Sequence, residues 1–300
     1  MGDAFSEREM ESPFKPTVLE GEVALITGGA SGIGLGITRE LAKHGAAVVV
    51  MGRRGDVVQS CVAELTAEGL KAAGVPGDVR SPADAEKAVN TCIEKFGKLS
   101  ILVNSAAGNF LSKAENLSTN AFKTVSDIDA VGTFNMSRAS FAQLRSNRGS
   151  IINITATLQY GATWYVMHAS AAKAAVDSVT RSLALEWGMY GIRVNGIAPG
   201  PIRGTAGMTK LAPGLEEEME KRVSQEIPLG RMGTVTDIAY AAVYLSSSAG
   251  AYVSGDTLVV DGAAWMYKKP IMPPEMVAAA SRGIEKKSRA VGLPDPKSKL

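Results

Sequence analysis

Val23-Ala24-Leu25-Ile26-Thr27-Gly28-Gly29-Ala30-Ser31-Gly32-Ile33-Gly34 is the stretch that decides the fold. An apolar run of strand type passes directly into a glycine-rich turn, and a helical pattern follows. Gly28 permits the tight turn, while Gly32 and Gly34 remove side chains where backbone must approach a phosphate and where helix must pack on strand. The helix opening near Ile33, just past Ser31, then presents unpaired backbone N–H groups to an anion. A glycine-rich turn alone says little. Between a strand and a helix, at the head of an alternating series, it reads as the seat of a dinucleotide pyrophosphate.

The alternation continues along the chain. Strands are expected at 47–51, 73–77, 101–104, 151–155, 193–198 and 257–260, several of them near-continuous apolar runs suited to burial on both faces. Helices are expected at 34–44, 57–68, 82–96, 120–144, 169–189 and 236–245. Strands and helices alternating nearly throughout specify an α/β protein: one doubly wound, Rossmann-type domain with a seven-stranded parallel sheet and helices on both faces. Residues 1–17 read as an N-terminal extension, 18–267 as the domain, and 268–300 as a tail with one helix at 274–287. The excursion at 201–232, after the sixth strand, carries a charged helical run and reads as a lid over a substrate.

Composition excludes several classes. Apolar content of 45%, charged content of 21% and a net charge of +2 describe a globular protein with no basic footprint for nucleic acid or membrane. No apolar run approaches the roughly 20 residues that span a bilayer. Cys61, Cys92, His44 and His168 are too few and too scattered for a disulfide framework or a metal centre. The chain ends Ser298-Lys299-Leu300, the address read by the peroxisomal import receptor.

The end of the second strand selects the cofactor. Enzymes that use NAD place a carboxylate there for the ribose 2′-hydroxyl. Here the sequence is Met51-Gly52-Arg53-Arg54, and two guanidinium groups suit the 2′-phosphate of NADPH. Asp78, after the third strand, is placed to accept from the adenine amino group. Pro199-Gly200-Pro201-Ile202, with Thr205 close behind, stiffens a loop whose backbone can meet the nicotinamide carboxamide.

These motifs, with Asn104-Ser105-Ala106-Ala107-Gly108, Lys173 and Val259-Val260-Asp261-Gly262, resemble the short-chain dehydrogenase/reductase family over residues 18–265. The resemblance implies a nicotinamide-dependent enzyme, a homo-oligomer, and an active site built on Asn, Ser, Tyr and Lys. Only Lys173 of that set is present. Ala169 stands at the tyrosine position, Ala156 at the serine and Asp129 at the asparagine.

Ala106-Ala107-Gly108-Asn109-Phe110, Asp127-Ile128-Asp129 and His168-Ala169-Ser170-Ala171-Ala172-Lys173 are similar to a branch of the family that reduces conjugated thioesters of coenzyme A. The resemblance implies hydride addition to a 2,4-dienoyl-CoA and a 3-enoyl-CoA product. Such chemistry needs a stabilised thioester oxyanion and a proton for carbon, and a held water can deliver that proton in place of a phenol. Lys173 and Asp129 are the candidate catalytic residues. Asn109 and Phe110 are candidates for the acyl group, with Arg80 and Lys210 for the coenzyme A phosphates. Two other readings compete: a reductase of 2-enoyl or 3-oxoacyl thioesters, and a silent module that binds the nucleotide without turnover.

Overall fold

The computed structural model describes residues 12–205 and 216–273 and scattered positions between 276 and 287. Lys210 and Ser298-Lys299-Leu300 lie outside the described residues. The chain divides into two compact units, Met1–Trp265 and Met266–Leu300. The second is helical at its described positions from 276 onward.

In the first unit, seven parallel strands form one sheet: β1 (Val23–Thr27), β2 (Ala47–Gly52), β3 (Ala72–Pro76), β4 (Ile101–Asn104), β5 (Ser150–Ile154), β6 (Arg193–Pro199) and β7 (Thr257–Val260). Their spatial order is β3-β2-β1-β4-β5-β6-β7, so the chain reverses direction of travel across the sheet between β1 and β4. In register, Thr27 lies beside Met51 on one side and Asn104 on the other. The crevice above such a switch point is where open α/β sheets hold ligands.

Helices cover both faces. Helix α1 (Gly32–Lys43) and α2 (Gly55–Ala67) follow β1 and β2; α3 (Pro82–Phe96) follows β3. Between β4 and β5 run α4 (Thr119–Ser126) and α5 (Gly132–Asn147), and α6 (Met167–Trp187) follows β5. Short α7 (Glu216–Gln225) and α8 (Val235–Ser246) lie between β6 and β7.

Strand side chains divide by parity. Ala24, Ile26, Val48, Val50, Val103 and Ile152 join one core with Ile37, Leu41 and Ile238. Val23, Leu25, Val49, Met51, Leu102 and Ile151 join the other with Val89, Met136 and Leu144. This is the period-2 alternation of a strand with an apolar layer on each side. Among the described residues no helix is long and apolar enough to cross a membrane. Of the N-terminal extension, Ser12 meets His44 at 2.7 Å from its hydroxyl to Nε2, and Phe14 packs edge-on to the same imidazole.

One expectation fails in detail. The continuous helix expected at 120–144 is broken: α4 and α5 are joined by a π-helical turn, Asp127–Val131. The wider i→i+5 turn re-aims the residues it contains, and such bulges gather at functional sites. Here it carries Asp129. Gly132 closes the turn against Val79, whose Cγ2 would lie 2.6 Å from any added Cβ. The lid expected at 201–232 contains α7 and the short bridge Ile202–Gly233 closes its base. Its central residues lie outside those described.

Candidate active site

Lys173 and Asp129 come together although 44 positions separate them in the chain. The Lys173 ammonium is 3.0 Å from Asp129 Oδ2, with the lysine side chain 10% and the aspartate 1% exposed. Lys173 also donates to the Ile154 carbonyl at the end of β5 (2.9 Å). An ammonium has three N–H groups, and the Ile154 carbonyl takes one of them. Asp129 Oδ1 accepts from the Gly108 backbone N–H at 2.8 Å. Oδ2 accepts no hydrogen bond of good geometry, because the lysine approaches it off the hydrogen-bonding direction. The site therefore holds a desolvated ion pair whose Oδ2 keeps hydrogen-bonding capacity beside the ammonium.

The tyrosine position is filled by packing. Ala169 is buried with Val125, Val166, Leu158 and Ala172. Beside it, His168 is fully buried and stacks on Phe110 at 4.3 Å between ring centroids and 27° between planes. Neither ring nitrogen has a hydrogen-bond partner. Burial pushes the His168 pKa below its ordinary value; the nearby Phe110 carbonyl, short of hydrogen-bond geometry, and the Asp129 charge oppose this incompletely. His168 is thus neutral at physiological pH.

The glycine turn has the shape the sequence implied. Gly28 and Gly32 take positive φ (66° and 53°), and a Cβ on Gly34 would lie 2.3 Å from the Gly28 carbonyl oxygen. Ser31 caps α1 without a side-chain hydrogen bond, and the first turn has no acidic residue. The leading N–H groups, Ile33 among them, are open to a phosphate. Thr27 Oγ1 accepts from the N–H groups of Ser105 (3.0 Å) and Ala106 (3.1 Å), tying the loop after β4 to the glycine turn.

Arg53 and Arg54 are exposed at the end of β2, and the Arg53 charge acts on the Asp78 carboxyl. Asp78 is engaged from within the chain: Arg80 Nε donates to Oδ1 (3.0 Å) and Nη2 to Oδ2 (2.6 Å). Those bonds hold the Asp78 carboxyl below its usual range. Two residues expected to serve different ends of the ligands are therefore partners of one another. Gly200 packs on Asp261, 2.5 Å from an added Cβ to the aspartate Cβ, and its N–H donates to Val260 (3.0 Å). Pro201 accepts from the Gly233 N–H (3.0 Å), Ile202 is buried, and the Thr205 hydroxyl donates to the Ile202 carbonyl (3.0 Å). Asn109 is exposed beside Phe110.

Sequence reasoning missed Gln159 and Asp177. The Gln159 amide nitrogen donates to the Asp177 carboxylate (2.6 Å), the Ala156 carbonyl (2.8 Å) and Thr155 Oγ1 (3.1 Å), fixing the loop after β5 to α6. The available signal was Asp177, four residues past Lys173 and so on the same helical face. Tyr160 packs edge-on to Trp265, and burial followed by the Asp177 charge raises its pKa.

Residues 28–263 match the family model described as Enoyl-(Acyl carrier protein) reductase. The chain belongs to the short-chain dehydrogenase/reductase family, whose members use a nicotinamide cofactor. It is 55% identical to the peroxisomal 2,4-dienoyl-CoA reductase [(3E)-enoyl-CoA-producing] of Arabidopsis thaliana, over 96% of this chain and 100% of that one. It is 47% identical to the mouse protein of the same name, over 84% and 87% of the two chains. Among solved structures, a short chain dehydrogenase from Bacillus anthracis superposes with a TM-score of 0.77 at 42% identity, covering 84% of this chain and 100% of that one.

Proposed function

We propose that this protein reduces 2,4-dienoyl-CoA to 3-enoyl-CoA with NADPH, in the peroxisomal breakdown of unsaturated fatty acids. The buried Lys173–Asp129 pair, with alanine where the family's tyrosine stands, carries the reading. The names of the plant and mouse relatives support it.

When bound, the nicotinamide supplies a hydride. That hydride forms a C–H bond at C5 of the substrate, and the diene electrons shift to the thioester oxygen. The pair returns as a proton is added at C2, leaving the double bond between C3 and C4. No ketone oxygen is protonated, so no phenol is required beside the reacting carbon. Lys173 supplies positive potential near the developing oxyanion and a free N–H for the cofactor ribose. Asp129, through Oδ2, orients the water that protonates C2. Asn109 and Phe110 border the acyl group, and the segment 201–232 covers it.

Gly28, Ser31, Gly32, Ile33 and Gly34 hold the pyrophosphate. Arg53 and Arg54 take the 2′-phosphate, which favours NADPH over NADH. Arg80 and Lys210 are assigned to the coenzyme A phosphates. Apolar side chains left open on the long helices, such as Phe134 and Leu185, support a homo-oligomer. Ser298-Lys299-Leu300 supports import into the peroxisome.

The deciding assay offers NADPH with a dienoyl-, an enoyl- and a 3-oxoacyl-CoA. Loss of diene absorbance with the first substrate alone is expected. Preference for a 3-oxoacyl substrate would overturn the proposal, and NADPH binding without any turnover would favour a silent module. A reporter carrying the last residues is expected in peroxisomes; cytosolic retention would remove the targeting assignment.

A further inference from the structure

An apolar platform extends outward from the catalytic pair along two loops. Phe110 and Leu111 lie on the loop after β4; Trp164, Tyr165 and Met167 lie on the loop after β5 and at the start of α6. All five are exposed, Trp164 at 81%. Single exposed apolar residues need no explanation, but a contiguous group of large ones marks a binding surface.

Three contacts tie the two loops and their aromatic rings together. Phe110 stacks on buried His168, which neighbours Ala169 at the tyrosine position. The Ser112 N–H donates to the Tyr165 carbonyl at 2.9 Å, joining the loops. The Trp164 and Tyr165 rings lie 5.8 Å apart. Tyr165 is held at φ 64°, a left-handed conformation that an aromatic residue seldom adopts and that tends to accompany function.

The surface is uncharged. Residues 105–112 and 156–172 contain no Asp, Glu, Lys or Arg. Its inner edge is Phe110 and His168, next to the Lys173–Asp129 pair, and its outer edge is Trp164. A phosphate finds no opposite charge there, whereas a hydrocarbon chain finds apolar side chains.

We infer that Trp164, with Tyr165, Met167 and Leu111, is the subsite for the distal part of the acyl chain and sets the enzyme's preference for longer chains. The inference rests on the reading of the substrate as an acyl-CoA. The chain beyond C5 leaves the nicotinamide face and runs outward over Phe110 onto Trp164.

The test measures binding of hexanoyl-CoA and decanoyl-CoA, which have no diene to reduce, by calorimetry on the full chain. Each buried methylene improves affinity by roughly fourfold at most, and a half-open platform captures part of that. Wild type is expected to bind decanoyl-CoA about tenfold more tightly than hexanoyl-CoA. Trp164→Ala is expected to shrink the gap to under about threefold, and Trp164→Phe to restore most of it. The exposed position makes both variants safe for folding. Absence of a gap in wild type, or an unchanged gap in Trp164→Ala, overturns the inference. So does a Trp164→Ala variant of altered mass by light scattering, which would make the platform a contact between copies. Wild type that binds decanoyl-CoA with the gap but fails to reduce 2,4-decadienoyl-CoA would defeat the proposed reaction and leave the subsite standing.

Discussion

The Lys173 ammonium and the Asp129 carboxylate sit 3.0 Å apart, almost out of contact with water, one on α6 and the other on a π-helical turn. Neither charge is well solvated, so each is tolerated because of the other. Removing one partner leaves a buried charge alone, which costs more than the pair contributes. Asp129→Ala and Lys173→Ala are each expected to lower unfolding free energy by about 3 kcal/mol or more. The double variant is expected to lose much less than the sum. Denaturant titrations of the three proteins check this, and additive losses would mean that the two groups are uncoupled.

For activity, Asp129→Asn is the sharper probe, because the amide oxygen can still accept from Gly108. It cannot carry the negative charge that orients a proton donor. Turnover of a dienoyl-CoA is expected to fall by about a hundredfold with a small change in KM, the size seen when one polar group in a catalytic site is lost. A loss confined to KM would reassign Asp129 to substrate binding.

His168 makes a pH prediction. Its folded pKa is depressed, chiefly by burial. Above the ordinary histidine value of about 6.5, both folded and unfolded chains hold it neutral. As pH falls below that value the unfolded chain takes up the proton first, so stability declines until the lower folded pKa is reached. His168→Phe keeps a ring against Phe110 and removes the titration. Melting curves from pH 7 downward are expected to fall less steeply for the variant. Parallel curves would show that His168 does not carry the effect.

The cofactor prediction turns on Arg53. Its guanidinium is exposed, and a charge-assisted bond to a phosphate is the strong kind. Arg53→Ala is expected to reduce kcat/KM for NADPH by roughly tenfold to a hundredfold and to leave NADH nearly unaffected. Equal losses with both nucleotides would place Arg53 in a general role.

The central strands were legible because burial on both faces needs continuous apolar runs, and Val23–Thr27 and Ile101–Asn104 have the ends read from the sequence, as does the half-buried edge strand Thr257–Val260. The glycine turn was legible because backbone approach excludes a Cβ at Gly34 whatever the rest of the chain does. The π-helical turn was not. Its extra residue answers to distant partners, Gly108 and Lys173, and helix propensity has no term for them. The Phe110–His168 stack was hidden for the same reason, since a loop residue and a helix residue meet only once the sheet has assembled. Asp78 and Arg80 both follow β3, but their bond to one another depends on side-chain rotamers rather than on pattern.

Restoring the family's tyrosine tests whether its absence is a simple deletion. Ala169 is 2% exposed and its methyl group lies among Val125, Val166, Leu158 and Ala172. A phenol added there must displace that cluster, and overpacking of a closed core costs about 1–3 kcal/mol. The new hydroxyl would also compete for space near the Lys173–Asp129 pair. Ala169→Tyr is therefore expected to melt lower than wild type, to lose dienoyl-CoA turnover, and to gain no carbonyl reduction. A stable variant that reduces 3-oxoacyl-CoA would mean that the pocket around residue 169 can seat a phenol and a ketone together, against the packing argument.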